Sequence, residues 1–208
     1  MDGKIRLALF DFDGTLTRRD TFLEFIRFCF GSGRLYAGLL LFSPLLILMK
    51  LRLYPNGKAK QQVFSHFFRG MDECRFESYC SDFCRLRLPA LLRPEMLREV
   101  DRQRAEGARL CIVSASIDRW IRPWALPQGF ERVIATELEI RDARLTGHFR
   151  TPNCYGAEKV RRLRAIYPLR STYYVVAYGD SRGDREMMGW ADESVRIPGF
   201  IWHKAECS

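Results

Sequence analysis

Two carboxylates lie two residues apart at the end of an apolar segment near the amino terminus. The segment from Ile5 to Phe10 contains one basic residue and is followed directly by DFDGT, in which the acids are Asp11 and Asp13. Such an apolar run indicates a buried strand, and Gly14 favours a turn at its end. Because ligands bind at the carboxyl ends of strands in open α/β sheets, two acids here could hold a divalent cation and face a phosphate.

Two other interpretations of this segment compete with phosphate chemistry. Asp13-Gly14 is a common pair in hairpin turns. The Asp-x-Asp spacing also opens calcium-binding loops, but Phe22 occupies the position where such a loop needs a bidentate Glu. The segment alone therefore excludes the calcium loop and leaves the hairpin turn open.

Three later segments carry polar residues that could join the two acids. The run from Arg109 to Val113 predicts a second buried strand, and Ser114 follows it. A third run, Tyr173 to Tyr178, is followed by GDSRGD, which holds Asp180 and Asp184. Between them, Lys159 lies in a predicted first helical turn, from which an ammonium can reach a shared cleft.

Each of these later residues also has an ordinary structural explanation. Ser114 could simply end a strand, and the two acids of GDSRGD could be turn residues. Lys159 could belong to a basic helix face with Arg161, Arg162 and Arg164. The order acid pair, hydroxyl, lysine, acid pair nevertheless favours the functional interpretation.

In that order, the four segments resemble the four motifs of the haloacid dehalogenase superfamily of phosphotransferases, in the subfamily that includes phosphoserine phosphatases. The resemblance spans almost the whole chain, and the combination is far more specific than any one motif. It implies that Asp11 is the nucleophile and that Asp13 is the general acid and base. It also implies that Ser114 and Lys159 bind the phosphoryl group.

The same resemblance implies a Mg²⁺ cofactor. Asp11, Asp180 and a backbone carbonyl near Asp13 would hold the ion, and Asp184 would support these ligands from behind. A carboxylate can approach an anionic phosphate only if cations neutralise the repulsion, and Mg²⁺ and Lys159 would do so. Attack would form an aspartyl-phosphate. Because Asp13 must then protonate the leaving group, we expect its pKa to be raised.

The distribution of strand signals predicts an α/β fold with an all-helical insertion, and the resemblance implies a three-layer α/β/α Rossmann-like core with an inserted all-helical cap of the C1 type. The core would comprise residues 1–16 and 94–208, and the cap residues 17–93. The cap helices would run approximately from Thr21 to Phe30, Arg34 to Leu53, Lys58 to Phe68 and Glu73 to Arg87. The rest of the core would contain a helix from Pro94 to Glu106, strands Val133 to Thr136 and Ser194 to Ile197, and a hairpin from Glu137 to Arg150 at a sheet edge.

Composition narrows the class of protein. The 208 residues carry a net charge of +9 and seven cysteines without a Cys-x-x-Cys pair, so we expect reduced thiols and no zinc site. Cys154 would be a packed loop thiol. Clusters of arginines suggest nucleic-acid binding as another function. No recognised nucleic-acid-binding motif accompanies them, and we expect no nucleic-acid partner. The first residues lack the apolar core of a secretory signal, which predicts a cytoplasmic protein.

An uncharged segment in the cap has two interpretations. Leu35 to Met49 contains no charge, but its fifteen residues are too few to span a bilayer, and Pro44 interrupts them. It could be the buried centre of the cap, as helices that are apolar on all sides usually are. It could instead make peripheral contact with the inner face of the membrane, aided by the basic charge. Both interpretations stay open.

The segment after the nucleophile bears on the substrate. Asp20-Thr21-Phe22-Leu23-Glu24-Phe25 is similar to a run in bacterial dehalogenase-like phosphatidylglycerophosphate phosphatases, the C type, which also carry an apolar cap segment. Phosphoserine phosphatases have Glu at the position of Asp20 and Asn at that of Gly183. Asp20 could line the substrate pocket or cap the first cap helix.

We therefore expect a magnesium-dependent phosphatase acting on a phosphate monoester, which could be lipid-linked, such as phosphatidylglycerophosphate. The alternative substrate is a soluble metabolite, such as a phosphoserine-like compound or a sugar phosphate. If the protein is not an enzyme, the alternative function is that of a catalytically inactive adaptor at the membrane surface.

Overall fold

A five-stranded parallel sheet forms the centre of the computed structural model, which describes residues 3–198. In chain order the strands of the structure are β1 (Ile5–Phe10), β2 (Arg109–Ile117), β3 (Arg132–Thr136), β4 (Leu138–Arg141), β5 (Arg144–Phe149), β6 (Tyr173–Gly179) and β7 (Glu193–Arg196). The sheet order is β3-β2-β1-β6-β7, and every neighbouring pair is parallel. All five strands therefore end at the edge where open α/β sheets bind ligands.

Helices cover both faces of this sheet. The helices are α1 (Thr21–Leu41), α2 (Ser43–Lys50), α3 (Asn56–Phe68), α4 (Glu73–Leu86), α5 (Pro94–Ala105), α6 (Arg122–Ala125), α7 (Ala157–Ile166) and α8 (Arg185–Trp190). Phe10 of β1 shares an apolar cluster with Met96 of α5, whereas Leu9 lies in a second cluster with Leu163 of α7 and Met187 of α8. Alternate strand residues thus face opposite layers. The predicted three-layer Rossmann-like fold is confirmed.

The chain between β1 and α5 is helical, and it has the predicted break at Gly31 and a further break within the second predicted helix. The backbone of Gly31 is not helical (φ 81°, ψ 165°), so α1 consists of two helical segments that meet at a kink there, as the glycines of this stretch predicted. The further break falls at Phe42, and Pro44 lies in the first turn of α2. Proline is tolerated there because the first amide groups of a helix have no intrahelical partner. Pro44 therefore lies where the uncharged segment is interrupted, and it begins the next helix.

The predicted hairpin forms, but it does not lie at an edge of the main sheet. β4 and β5 make a separate two-stranded sheet around Asp142 and Ala143, which both have positive φ. Its strands pack against α3, where the rings of Phe149 and Phe64 lie 5.7 Å apart. The apolar face of the hairpin is buried against a helix, so the main sheet ends at β3 on that side.

An aromatic cluster fixes the first half of α1. The Phe25 ring stacks on Trp120 at 4.5 Å and meets Phe83 of α4 edge-on at 5.3 Å. Trp120 follows β2, so the cluster joins the inserted helices to the sheet. Such aromatic contacts stabilise beyond the area that they bury. The amino terminus of α1 is thereby held over the carboxyl edge of the sheet.

The uncharged segment is not the buried centre of the inserted helices. Only Leu35 and Gly38 are buried within it, and α2 has no buried residue. This corrects the core interpretation for most of the segment. Within residues 3–198, no single helix has the length and apolar character needed to cross a bilayer. The consecutive helices α1 and α2, bent by 65°, meet that criterion only as a pair.

Candidate active site

One cavity of about 340 Å³ lies over the carboxyl edge of the sheet. Its walls come from the strand ends and, above them, from α1, α2 and α3. All seven candidate residues line it: Asp11, Asp13, Asp20, Ser114, Lys159, Asp180 and Asp184. The structure therefore brings together every residue that the sequence singled out, including pairs as distant in sequence as Asp11 and Lys159, which are 148 positions apart.

Lys159 is the buried cation of this cavity. Its Nζ donates to Asp11 Oδ1 at 2.6 Å, to Asp184 Oδ1 at 2.5 Å and to the Val113 carbonyl at 2.7 Å. Only 1% of the residue is exposed. Burial disfavours the ammonium, but the two carboxylates outweigh it and hold the pKa of Lys159 above its ordinary value. Lys159 thus stays charged next to the candidate nucleophile.

Three carboxylates meet around this ammonium. Oxygens of Asp11, Asp180 and Asp184 all lie within 4.8 Å of one another. Burial raises the pKa of Asp11 to about 8 although Lys159 opposes the rise, and burial followed by Asp184 raises that of Asp180. One ammonium does not neutralise three acids. The excess of negative charge and the hard oxygen donors fit a divalent cation such as Mg²⁺.

Asp184 is engaged on both carboxylate oxygens. Oδ1 accepts from Lys159, and Oδ2 accepts from the amide and hydroxyl of Ser181 at 2.9 and 2.8 Å. Burial opposes its ionisation, but Lys159 outweighs burial and keeps the pKa of Asp184 below its ordinary value. These contacts suit a residue that orients the lysine and supports the metal ligands.

Asp13 is not one of the three clustered acids and contacts the start of α1. Its Oδ1 accepts from the Thr21 amide at 2.9 Å and from the Thr21 hydroxyl at 2.6 Å. The same hydroxyl lies 3.0 Å from Ser116 Oγ and accepts from Trp120 Nε1 at 3.2 Å. Burial, and then the charge of Asp20, raise the pKa of Asp13 to about 6. The direction agrees with the sequence-based expectation for a general acid.

Asp20 caps α1 and also lines the cavity. Its Oδ1 accepts from the Leu23 amide at 3.1 Å, which satisfies one of the free amide groups of the first turn. Both sequence interpretations of Asp20 therefore hold in the structure, because one side chain serves the helix and faces the pocket.

Ser114 lies within β2, not at its end. The strand continues to Ile117, and its pairing with β3 shifts between Ser114 and Ile117. Ser114 Oγ accepts from the Ser116 amide at 3.0 Å, so its own proton remains available to the cavity. The irregularity comes directly after Ser114, which lines the cavity although its strand is buried.

Cys154 does not take part in the cavity. Its side chain is fully buried in the apolar cluster on the α7 side of the sheet, and Sγ donates to the Ile134 carbonyl at 3.6 Å. The predicted packed loop thiol is what the structure contains.

Lys60 is the cavity residue that sequence reasoning missed. It extends from α3, donates to the Ala115 carbonyl at 2.9 Å and lies 5.0 Å from the centre of the Phe22 ring. Within residues 3–198, no carboxylate lies within ion-pairing distance of its Nζ. No local motif marks Lys60, because only the packing of α3 over the sheet brings it to the site.

Gly14 yields a first testable prediction. It has φ +85°, and a Cβ there would overlap a carboxylate oxygen of Asp180. We expect Gly14→Ala to displace this candidate metal ligand and lower kcat about tenfold or more, besides costing about 1–2 kcal/mol of backbone strain. Turnover of p-nitrophenyl phosphate at increasing Mg²⁺, with the free energy of unfolding, measures both effects.

Gly107→Ala is the matched control for Gly14→Ala. Gly107 has φ +75°, but no atom lies within 4 Å of the position that a Cβ would take there. It should show the same strain without loss of kcat. Equal kcat losses in both variants, or none in Gly14→Ala, would contradict the steric argument.

Comparisons with known proteins agree with this geometry. The haloacid dehalogenase-like hydrolase family matches residues 8–189. Protein CicA from Caulobacter vibrioides is 37% identical over 190 residues, which are 90% of this chain and 83% of that protein.

Solved structures share the fold at lower identity. A protein of unknown function from Bordetella pertussis Tohama I has a TM-score of 0.81 at 20% identity, over 93% of this chain and 90% of that one. A phosphoserine phosphatase solved as a phospho-aspartyl intermediate analogue has a TM-score of 0.68 at 19% identity, over 93% and 86%. The match over residues 8–189 covers most of the sequence, and the chain belongs to the haloacid dehalogenase-like hydrolase family.

Proposed function

We propose that this protein is a magnesium-dependent phosphatase that hydrolyses a phosphate monoester through an aspartyl-phosphate at Asp11. The observation that carries the proposal is the Asp11 carboxylate, 2.6 Å from the buried Lys159 ammonium at the base of a cavity that Asp13 and Ser114 also line. This set provides a nucleophile, an acid with a raised pKa, and donors for an anionic phosphoryl group.

Each residue has a defined part in the two displacements. Lys159 and Ser114 donate to phosphoryl oxygens, and Asp11 Oδ2, which Lys159 leaves free, attacks phosphorus. The bond to the leaving oxygen breaks as Asp13 protonates that oxygen. Asp13 then takes a proton from the water that attacks the aspartyl-phosphate, and the bond between phosphorus and Asp11 breaks. Inorganic phosphate leaves and both carboxyl groups return to their starting states.

The metal would be held by Asp11, Asp180 and a backbone carbonyl near Asp13. When bound, Mg²⁺ neutralises charge on the nucleophile and the phosphate. Asp184 keeps Lys159 directed at Asp11, and Thr21 fixes the Asp13 carboxyl with two hydrogen bonds. Contacts within the chain therefore fix Lys159 as the cation beside the nucleophile and Asp13 as the separate acid.

The pKa of Asp13 yields a pH prediction. Since the first displacement uses the protonated acid and its pKa is about 6, the reactive fraction falls about tenfold per pH unit above that value. With saturating Mg²⁺, which would keep Asp11 ionised over this range, we expect kcat/KM for an alkyl phosphate to decline with rising pH. A p-nitrophenyl ester needs little protonation to leave, so its profile should be flatter.

Asp13→Asn should lose most alkyl-ester turnover and retain more of the aryl-ester turnover. Identical profiles for the two esters would contradict the assignment.

A lipid-linked phosphate, such as phosphatidylglycerophosphate, is the substrate that we propose. The support is the apolar wall opposite the acids, formed by Leu39, Leu46 and Met49. A small polar leaving group would gain little from these side chains. Asp20 in place of Glu and Gly183 in place of Asn also depart from the phosphoserine pattern. A soluble ester is the alternative, since the solved phosphoserine phosphatases share this fold.

A substrate panel tests the proposal. The purified protein is assayed with Mg²⁺, and with EDTA, against phosphatidylglycerophosphate in mixed micelles, phosphoserine and sugar phosphates. We expect release of phosphate that requires the metal and is fastest with the lipid. Rapid turnover of one soluble ester with an inert lipid would overturn the substrate, and inertness toward every ester would overturn the phosphatase.

A further inference from the structure

We propose that the bent pair α1–α2 docks the protein on the surface of an anionic lipid bilayer, beside the mouth of the candidate active site. The proposal concerns a surface and its partner and does not require the phosphatase to be correct. It begins from the part of the chain that the fold leaves uncovered.

Exposed large apolar side chains are concentrated in this pair and the turn that follows. Seven of the thirteen such residues within residues 3–198 lie between positions 36 and 53. They are Tyr36, Leu40, Leu41, Ile47, Leu48, Leu51 and Leu53, which we call the apolar surface. Leu40 and Leu53 are 76% and 72% exposed. Contiguous exposed apolar patches are uncommon on soluble monomers and mark binding sites.

The anchoring of α1 suits a helix pair that lies on a bilayer. Its first half is buried in the aromatic cluster of Phe25 and Trp120, so only the part after the Gly31 bend can meet lipid. The eight residues of α2 extend about 12 Å, which is well short of the roughly 30 Å hydrocarbon core. The pair can therefore bury its outer face at the interface while the rest of the protein stays packed.

The charge around the apolar surface complements anionic headgroups. No acidic residue occurs between Glu24 and Asp72, whereas seven basic residues do. Of these, Arg34, Lys50 and Arg52 lie exposed within or next to the apolar surface. Each basic side chain near an anionic membrane adds attraction. A second copy docked on the same face would instead oppose these like charges, which favours lipid over self-association.

The other face of the same helix pair reaches the cavity. Leu39 of α1 and Leu46 and Met49 of α2 line it, together with Asp11 and Lys159. One pair of helices thus separates the acid cluster from the apolar surface. A phosphate carried on a lipid at the docked surface would have to travel only the width of this pair to reach Asp11.

Vesicle flotation of the Asp11→Asn protein tests the docking without any turnover. We expect the protein to float with vesicles of phosphatidylcholine mixed with phosphatidylglycerol, and much less with phosphatidylcholine alone. High salt should release it, because headgroup attraction is screened. Sedimentation of the protein without vesicles, at low and at high salt, shows whether the apolar surface instead joins two copies into a dimer.

Substitutions on the apolar surface give the decisive comparison. Leu41→Asp with Ile47→Asp should lower partitioning on the order of tenfold or more, since two charges replace apolar contacts at the interface. The matched control is Leu126→Asp with Leu169→Asp. These leucines are 50% and 69% exposed but lie outside the inserted helices, so the variant should float like the parent. In the Asp11-containing background, both pairs should keep p-nitrophenyl phosphate turnover, which reports folding.

Three results would overturn the docking. They are no flotation with anionic vesicles, unchanged flotation of the Leu41/Ile47 variant, and a concentration-dependent dimer that the same variant abolishes. Retention on the vesicles after high salt and alkaline carbonate would replace surface docking by embedding. A wild-type protein that floats with the vesicles but hydrolyses no phosphate ester would count against the proposed phosphatase alone and not against the docking.

Discussion

Asp11→Asn is expected to lower kcat for p-nitrophenyl phosphate by at least about 10³-fold, equivalent to about 4 kcal/mol of activation free energy. An amide oxygen is a poor nucleophile and cannot form the aspartyl-phosphate. The fold should survive this change. Burial raises the pKa of Asp11 to about 8, which means that ionised Asp11 opposes folding near neutral pH, and a neutral side chain of the same shape removes that cost. We therefore expect an unchanged or higher Tm.

An exposed acid provides the control for this variant. Asp101 has a side chain that is 67% exposed and pairs with Arg104 on the surface of α5. Asp101→Asn should change kcat by less than about twofold, since exposed pairs contribute little. Wild-type turnover in Asp11→Asn would refute the nucleophile. A wild-type protein without turnover that still binds lipid would favour the inactive adaptor.

Lys159→Met is expected to lower both activity and stability. The variant leaves the Asp11 and Asp184 carboxylates buried and facing each other without their cation. Removing one partner of a buried ion pair typically costs about 3–5 kcal/mol of unfolding free energy. We also expect kcat to fall by about 10²-fold or more, because a donor to the phosphoryl group is lost. Denaturant unfolding and p-nitrophenyl phosphate turnover measure the two effects.

The stability loss in Lys159→Met should depend on pH. In the wild type, the lowered pKa of Asp184 means that its ionised form stabilises the fold above the unfolded pKa, and this is lost as pH falls. In the variant, buried carboxylates without the cation have raised pKa values, so they oppose folding as pH rises. The first effect acts only below the ordinary Asp pKa of 3.8, whereas the second makes the difference between the two proteins smaller at about pH 5 than at about pH 7.5.

Arg161→Met is the control on the same helix. Its guanidinium is mostly exposed and pairs with Glu158 on the outer face of α7. The expected loss is below about 1 kcal/mol. Losses of equal size in the two variants, or a Lys159→Met loss that grows toward acid pH, would show that the buried ammonium does not hold the carboxylates together.

Much of the core and the site could be predicted from sequence because the signals are local. Each predicted core strand forms, and the candidate acids directly follow the apolar runs of β1 and β6. In a parallel sheet, that local feature is enough to bring Asp11 and Asp180 to one edge. Lys159 lies in the first turn of α7, as predicted, but α7 follows the separate β4–β5 hairpin, so its place at that edge depends on packing.

The cap could be predicted only in part because its geometry depends on packing. A run such as Leu35 to Met49 has the same composition whether it is buried or exposed, and only the arrangement of neighbouring helices decides. Lys60 reaches the site because α3 packs over Ala115, a contact between residues 55 positions apart. The hairpin after β3 likewise leaves the main sheet because α3 offers an apolar face to Phe149.

Trapping the covalent intermediate tests the central claim most directly. The enzyme is quenched in acid during turnover of p-nitrophenyl phosphate with Mg²⁺, and its peptides are examined by mass spectrometry with and without hydroxylamine. We expect one phosphoryl group on the peptide that contains Asp11, removed by hydroxylamine, absent from Asp11→Asn and increased in Asp13→Asn. Sustained turnover by the wild type with no phosphoryl group on that peptide would contradict the account.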